Sequence, residues 1–308
     1  MSLRARPALL AALLVGAMGS TGCTNLMAGV LAGGGDGPSV YATDDDPELV
    51  REAVPFGLKL QEQVLQKTPE HKGLLASLAK SYTQYAYGLV YPDAEAPGVT
   101  VAQAKEIRTR VKKLLLRARA YGFRGLDVDY PHFEESVRKD RVATLAKLSK
   151  DDLPLLVWTA SAWGAAASVA KDDPMLLGDL GLVEALMKRA QDLDSCYDKG
   201  AVHEVLMSLD VSRPESMGGS IERGKQHREQ IAACGGADKI GPLVSWAASV
   251  SVRKQDKAEF EKLLKEALAF DVEKAPEFKL ANILSQRRAQ RLLDKADDLF
   301  LSDDDSAE

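Results

Sequence analysis

The residues best suited to chemistry in this chain are His203 and Glu204. A His-Glu pair on a helix can belong to a zinc peptidase, whose second histidine stands one helical turn further on, but here that position is Met207. The remaining histidines, His71, His132 and His227, sit in separate polar contexts without the cysteine or carboxylate spacing of a metal site. No Gly-x-Ser-x-Gly turn supplies a hydrolase nucleophile. Gly33-Gly34-Gly35-Asp36-Gly37-Pro38 is rich in glycine, yet no Lys-Ser/Thr follows it as a phosphate-cradling loop requires, so it reads as a tether. The expectation is a protein that is not an enzyme and uses no metal or cofactor.

Other groups have a physical role that catalysis does not exhaust. Cys196 and Cys234 each follow the end of a predicted helix, about one helix-pair repeat apart, so they are either a disulfide or two buried thiols. Arg288 falls on an apolar row of the last predicted helix with Ala281, Leu284, Leu292 and Leu299, whereas Arg287 and Arg291 point elsewhere. A buried arginine requires an anion, supplied by a protein carboxylate or by a ligand. Trp158 and Trp163 are five apart and cannot face one neighbour; one is core, the other is free to line a cavity.

These side chains must be positioned by helices. Leu153 to Ala170 carries no formal charge and is fenced by Asp151-Asp152 before it and Asp172-Asp173-Pro174 after it. It has no polar face, so it predicts a helix covered on all sides. Its length meets the lower limit for a membrane span, but from Thr159 onward only Trp163 and Val169 are large, which suits close helix packing better than lipid. Around it, apolar residues recur at helical spacing. Val50, Val54, Leu58, Leu60 and Val64 mark a helix that Pro55, well inside it, should kink; Leu75, Leu78, Ala79, Tyr82, Tyr85, Ala86 and Leu89 mark one over 70–90. Further helices are predicted over 101–121, 130–148, 180–193, 201–209, 221–234, 243–252, 256–270 and 276–301. No period-2 run occurs. The chain reads as all-α, with stacked helical hairpins forming a degenerate tetratricopeptide-like (TPR-like) solenoid. The junctions after Asp194 and Asp271 look like those of tetratricopeptide pairs, although their separation does not fit the repeat of about 34 residues.

The ends carry an address. Arg4 and Arg6 precede the apolar run Ala8 to Met18, the pattern of an export signal. Ser20-Thr21-Gly22-Cys23 resembles the bacterial lipobox, which predicts diacylation at Cys23 and anchoring to a membrane without spanning it. The expected organisation is a lipoprotein signal peptide over 1–22, lipidated Cys23 and a flexible tether over 23–42, a helical domain over 43–301 and an acidic tail over 302–308. Thr24, in place of Asp, points to the outer membrane, with the domain facing the periplasm. The 308 residues are 45% hydrophobic and 28% charged, which supports a sizeable core. A net charge of −5 without basic clusters argues against nucleic acid as a partner.

With those residues in view, the chain resembles the T-component family of TRAP transporters from about Val40 to Phe300. The likeness rests on Asp44-Asp45-Asp46-Pro47-Glu48-Leu49, Tyr85-Ala86-Tyr87, Trp163-Gly164 with Lys171-Asp172-Asp173-Pro174, His203-Glu204, Ser212-Arg213-Pro214, Lys254-Gln255-Asp256 and Gln286-Arg287-Arg288-Ala289. The resemblance implies a trimeric periplasmic lipoprotein of cryptic tetratricopeptide helices. Each protomer would enclose an apolar tunnel. Association with the substrate-binding P-component, for small organic ligands, hydrophobic ones included, is implied too. In such a conduit the helix from Leu153 to Ala170 would border the tunnel, with Ala165 and Ala166 leaving room, Trp163 and Tyr85 as walls and Arg288 as the group for a ligand carboxylate. A competing expectation is a scaffold lipoprotein that only holds other envelope proteins.

Overall fold

A computed structural model describes residues 39–301; the export signal, Cys23, the tether to residue 38 and the acidic tail lie outside the described residues. Within them the chain is all helical, with no strand. The first helix, α1 (Pro47–Leu65), begins where Asp46 accepts hydrogen bonds from the amides of Glu48 and Leu49, and Pro47 fills the first turn, where no amide is needed. Val50, Leu58 and Val64 of its predicted stripe are buried, but Leu60 is exposed, along with Leu49 and Phe56. Next, α2 (Lys72–Gln84) continues into a π-turn over Tyr85–Val90 and a short 3-10 turn over Tyr91–Glu95. The stripe from Leu75 to Leu89 is buried throughout. A Thr100–Gln103 capping box starts α3 (Val101–Asp127), which runs past the predicted end at residue 121 by more than one and a half turns. The predicted helix over 130–148 is two short ones, α4 (Phe133–Lys139) and α5 (Arg141–Ala146), because Asp140 leaves the helical conformation to cap Ala143.

The uncharged stretch forms α6 (Leu153–Val169). Of its residues only Ser168 is exposed. Three helices cover it: α3, α2 and, beyond the short α7 (Pro174–Gly178), α8 (Leu180–Leu193). The contact with α3 is backbone-close. A Cβ on Gly122 would stand 1.9 Å from Thr159 Oγ1, and one on Gly125 would stand 2.3 Å from Leu155 Cδ2. Small residues on both helices therefore bring their axes together, and dispersion contacts accumulate along the whole crossing.

Then α9 (Ala201–Ser212) packs on α8 and on α10 (Ile221–Ile231). It contributes to two cores: Leu206 and Leu209 join the large one built around α6, while Met207 and Val211 join a second one with Ile231, Trp246, Phe260 and Ala289. The second core is completed by α11 (Gly241–Trp246), α12 (Lys257–Ala269), α13 (Lys279–Asp294) and α14 (Ala296–Leu299). Two more π-turns, Ala232–Gly236 and Ala247–Ser251, end α10 and α11. The predicted helix over 276–301 is broken at Lys295.

The last long helix returns to the first. Leu280 N donates to Ala42 O at 3.0 Å, and Arg287 forms a two-pronged pair with Glu48. Its buried row differs from the predicted one. Ala281 is exposed, and the inward residues are Asn282 and Ala289, with Gln286 partly buried beside them. The reason is hydrogen bonding. Asn282 accepts from Ile240 N at 3.2 Å and donates to Asp238 O at 2.9 Å. Gln286 Nε2 reaches the carbonyls of Ala267, Leu268 and Phe270 at 3.2, 3.3 and 2.8 Å, the acceptors at the end of α12. Hydropathy alone places such polar residues outside.

The α3–α6 contact can be tested directly. Gly122→Ala is expected to destabilise the chain by about 1–3 kcal/mol through overpacking, read from the urea midpoint. Adding Thr159→Ala should recover part of the loss. Gly181→Ala, whose Cβ would meet nothing within 4 Å, is the neutral control.

Candidate functional site

The junction where α13 meets α1 and the Tyr85–Val90 π-turn concentrates unpaired charge. Arg51 on α1 holds Asp93 of the 3-10 turn, with 2.8 Å between Nη1 and Oδ1, and Lys295 Nζ donates to Glu95 O at 3.0 Å. The hydrogen bond to Asp93 raises Arg51 above its ordinary pKa, and the Tyr85 hydroxyl lies near enough to add to that effect. Tyr87 and Tyr91 stack with centroids 5.4 Å apart. Arg287 is spent on Glu48. Arg288 and Arg291 form no ion pair among the described residues. Arg288 Nη1 reaches only Ser245 Oγ, at 3.4 Å, and the Nε of Arg291 is buried without a partner. Burial pushes the Arg291 guanidinium below its ordinary pKa; Arg288 and Arg287 push the same way, against Glu95 and Asp93. A cation so placed favours an added anion.

Two of the sequence-predicted residues, Tyr85 and Arg288, thus belong to the surroundings of α13, though Tyr85 is itself nearly buried. Arg291, which the helical pattern turns away, is the residue that sequence reasoning missed. The π-turn was missed as well: nothing in Tyr85-Ala86-Tyr87-Gly88-Leu89-Val90 departs from a regular helical stripe. Such turns often mark functional positions.

The α6 candidates lie apart from this junction. Trp163 is 0% exposed. Phe123 meets it edge-on at 5.5 Å, and the guanidiniums of Arg119 and Arg138 stand over its ring at 4.5 and 5.1 Å. Both arginines are anchored, Arg119 by Glu134 at 2.8 Å and Arg138 by Asp179 at 2.7 Å. The ring is therefore enclosed by protein on the faces a ligand would use. Trp158 is the tryptophan of this helix with accessible surface, and Lys80 Nζ stands 5.3 Å from its ring. Ala166 is fully buried; Ala165 is only partly so.

A recess of about 520 Å³ opens elsewhere, between the end of α1 and the C-terminal half of α3. Glu62, Leu65, Gln66, Pro69, Arg117, Tyr121 and Arg124 line it. Glu62 accepts from the hydroxyls of Tyr82 and Tyr121 at 2.6 and 2.8 Å and from Lys59 at 2.6 Å. Burial opposes its charge, but these hydrogen bonds outweigh burial and hold the carboxyl below the usual range. With its carboxylate so fully engaged, this recess is a polar surface fixed by its own network.

Cys196 and Cys234 are joined as a disulfide with 4.9 Å between their Cα atoms. No group of three or more metal-ligating side chains occurs among the described residues. None of their helices is long and apolar enough to cross a membrane.

Comparison with known proteins gives two findings. A family profile described as TRAP transporter T-component matches residues 43–300. An uncharacterized protein of Treponema pallidum (strain Nichols) is 30% identical over 269 residues, which cover 85% of this chain and 83% of that relative.

Proposed function

The chain belongs to the T-component family of TRAP transporters, and from that premise we propose that it binds small organic ligands and passes them on together with the substrate-binding P-component. The observation that carries this reading is the pair Arg288 and Arg291. These are two guanidiniums one helical turn apart, partly buried, without an ionic partner among the described residues. A carboxylate-bearing ligand with an apolar body would relieve their repulsion, since ligand sites combine apolar walls with a few placed polar groups. In the same proposal the hairpins stack in a degenerate tetratricopeptide-like manner, and a tunnel passes the accessible side of α6 at Trp158 and Ala165. The protein is a trimer anchored by lipid at Cys23, in the outer membrane and facing the periplasm.

The scaffold reading keeps one observation in its favour. Leu49, Ala53, Phe56 and Leu60 recur at spacings of four, three and four on the exposed side of α1, the seam a partner helix would fit.

Three outcomes decide between these readings. Calorimetry against a panel of aliphatic and aromatic monocarboxylates is expected to find a binder. Arg288→Gln with Arg291→Gln should weaken it by about 1.5–3 kcal/mol, on the order of 10- to 100-fold; equal binding by the double variant removes the arginines from the site. On α6, Ala166→Leu should destabilise by about 1–3 kcal/mol. Ala165→Leu should instead leave the melting temperature nearly unchanged and block ligand passage, and marked destabilisation by both would leave the scaffold reading. Native mass spectrometry of the detergent-extracted protein is expected to show three copies, each diacylated at Cys23; an unmodified amino terminus or a lone protomer contradicts the corresponding part.

A further inference from the structure

Two histidines that the sequence places in unrelated contexts share a buried hydrogen bond. His203 on α9 is 1% exposed, and its Nδ1 lies 2.8 Å from the Nδ1 of His227 on α10. On the far side, His203 Nε2 lies 2.9 Å from Ser195 Oγ. His227 Nε2 lies 3.7 Å from Asp210 Oδ2. One proton arrangement satisfies every contact. The Ser195 hydroxyl donates to His203 Nε2, His203 Nδ1–H donates to His227 Nδ1, and His227 Nε2–H faces the Asp210 carboxylate. The reverse arrangement would set a bare ring nitrogen against that carboxylate.

Both rings are neutral in this chain of bonds, and the surroundings keep them so. Three charged groups from the packed elements face the pair: Asp210 of α9, Arg223 of α10 and Lys188 of α8. Arg223 already occupies Asp210 at 2.5 Å. Lys188 is held by Glu184 at 2.7 Å, and Glu184 also takes Arg213 at 2.8 Å. Burial lowers the pKa of each histidine. His227 lowers that of His203 further; Asp210 raises that of His227, while Arg223 and Lys188 oppose it. A first added proton would be a buried charge; a second would set N–H against N–H across the shared bond and break it.

The bond is one of several holds on α10: Arg223 pairs with Asp210 of α9, and Arg228 lies over Trp246 at 5.2 Å. Only Gly224 and Ile231 of α10 are buried. Its start is tied by Ser220 N donating to Asp210 O at 3.0 Å, and its end by Cys234 to Cys196. We propose that the His203–His227 pair is an acid-released latch on the α9–α10 hairpin, closed while both rings are neutral, and that the Cys196–Cys234 disulfide limits how far it opens. The sign follows from linkage. Both folded values lie below the ordinary 6.5, so the unfolded hairpin binds more protons in the window between. The latch is fully effective above 6.5 and is lost as pH falls through the lowered values.

Hydrogen exchange on the full chain at about pH 7.5 and about pH 5, corrected for intrinsic rates, tests this, since each unit of pKa separation is worth a factor of about ten in the opening equilibrium. Protection over Ile221–Ile231 is expected to fall about tenfold or more at acid pH while α3 and α6 hold theirs. Reductant should enlarge the loss. His203→Gln with His227→Gln should flatten the pH dependence. Should that variant fold poorly, histidine Cε1–H resonances of the wild-type chain decide: both should titrate below 6.5. Titration at or above that value, unchanged protection at acid pH, or an undiminished acid effect in the variant overturns the latch. An acid-induced loss that reductant does not alter overturns the part assigned to the disulfide.

Discussion

The first core is organised around a helix that has no charge and no polar face to give to water. With no charge from Leu153 to Val169, α6 gains stability only as fast as its neighbours exclude solvent from it, and α2, α3 and α8 are arranged around that requirement. The two glycines of α3 allow the closest of these approaches. The charged residues that surround α6 are held at its margins. Burial of Asp152 at its start raises the pKa of the carboxyl, but the Ser149 amide at 3.0 Å, then Lys72 at 2.9 Å and Tyr130 at 2.8 Å, hold it below the usual range. Arg119 and Arg138 lie over Trp163 but discharge onto acids of α4 and the α7–α8 corner.

Two helices join the second core to the first: α13, whose Leu280 and Leu284 pack on the first while Ala289 is buried in the second, and α9. Successive residues of α9 look opposite ways, Leu206 and Leu209 into one core and Met207 and Val211 into the other. Its histidine, at the α10 side, therefore lies on an element that neither core can release alone. The junction at α13 has a different character. It is polar and cationic, and its open valences are those of Arg288 and Arg291.

Much of this architecture was legible in the chain. Helical periodicity located the long helices because their inward residues are apolar: α8 follows its pattern to the residue, and α6 was marked by acids at both ends. Family membership was legible from short motifs in order. What escaped is polar or conformational. Asn282 and Gln286 face inward because they satisfy backbone groups of other elements, so the row containing Arg288 was misplaced by one position and Arg291 was overlooked. Two of the three π-turns leave no trace in residue type; the third, Ala232–Gly236, holds Gly235 at φ 85°. The pairing of His203 with His227 needs α9 and α10 to cross at one register, and two histidines so far apart in sequence give no sign of it. The tunnel-wall reading of Trp163 supposed an open face where Arg119, Arg138 and Phe123 stand.

The return of α13 onto α1 has a consequence for how the chain comes to be folded. Arg287 and Glu48 are 239 positions apart, so their pairing is among the most non-local contacts in the molecule, and the entropy of closing that loop must be met before the pair contributes anything. From α2 to α10 most helices pack on neighbours near in sequence, although α2 must also reach α6, as the Lys72–Asp152 pair does across 80 positions. Until α13 has been made and docked, α1 lacks this partner and Glu48 stands unpaired beside the exposed Leu49 and Phe56. The slowest step in maturation is therefore expected at the seam between the two ends, and a chain interrupted before α13 would present its first helix to whatever else is near.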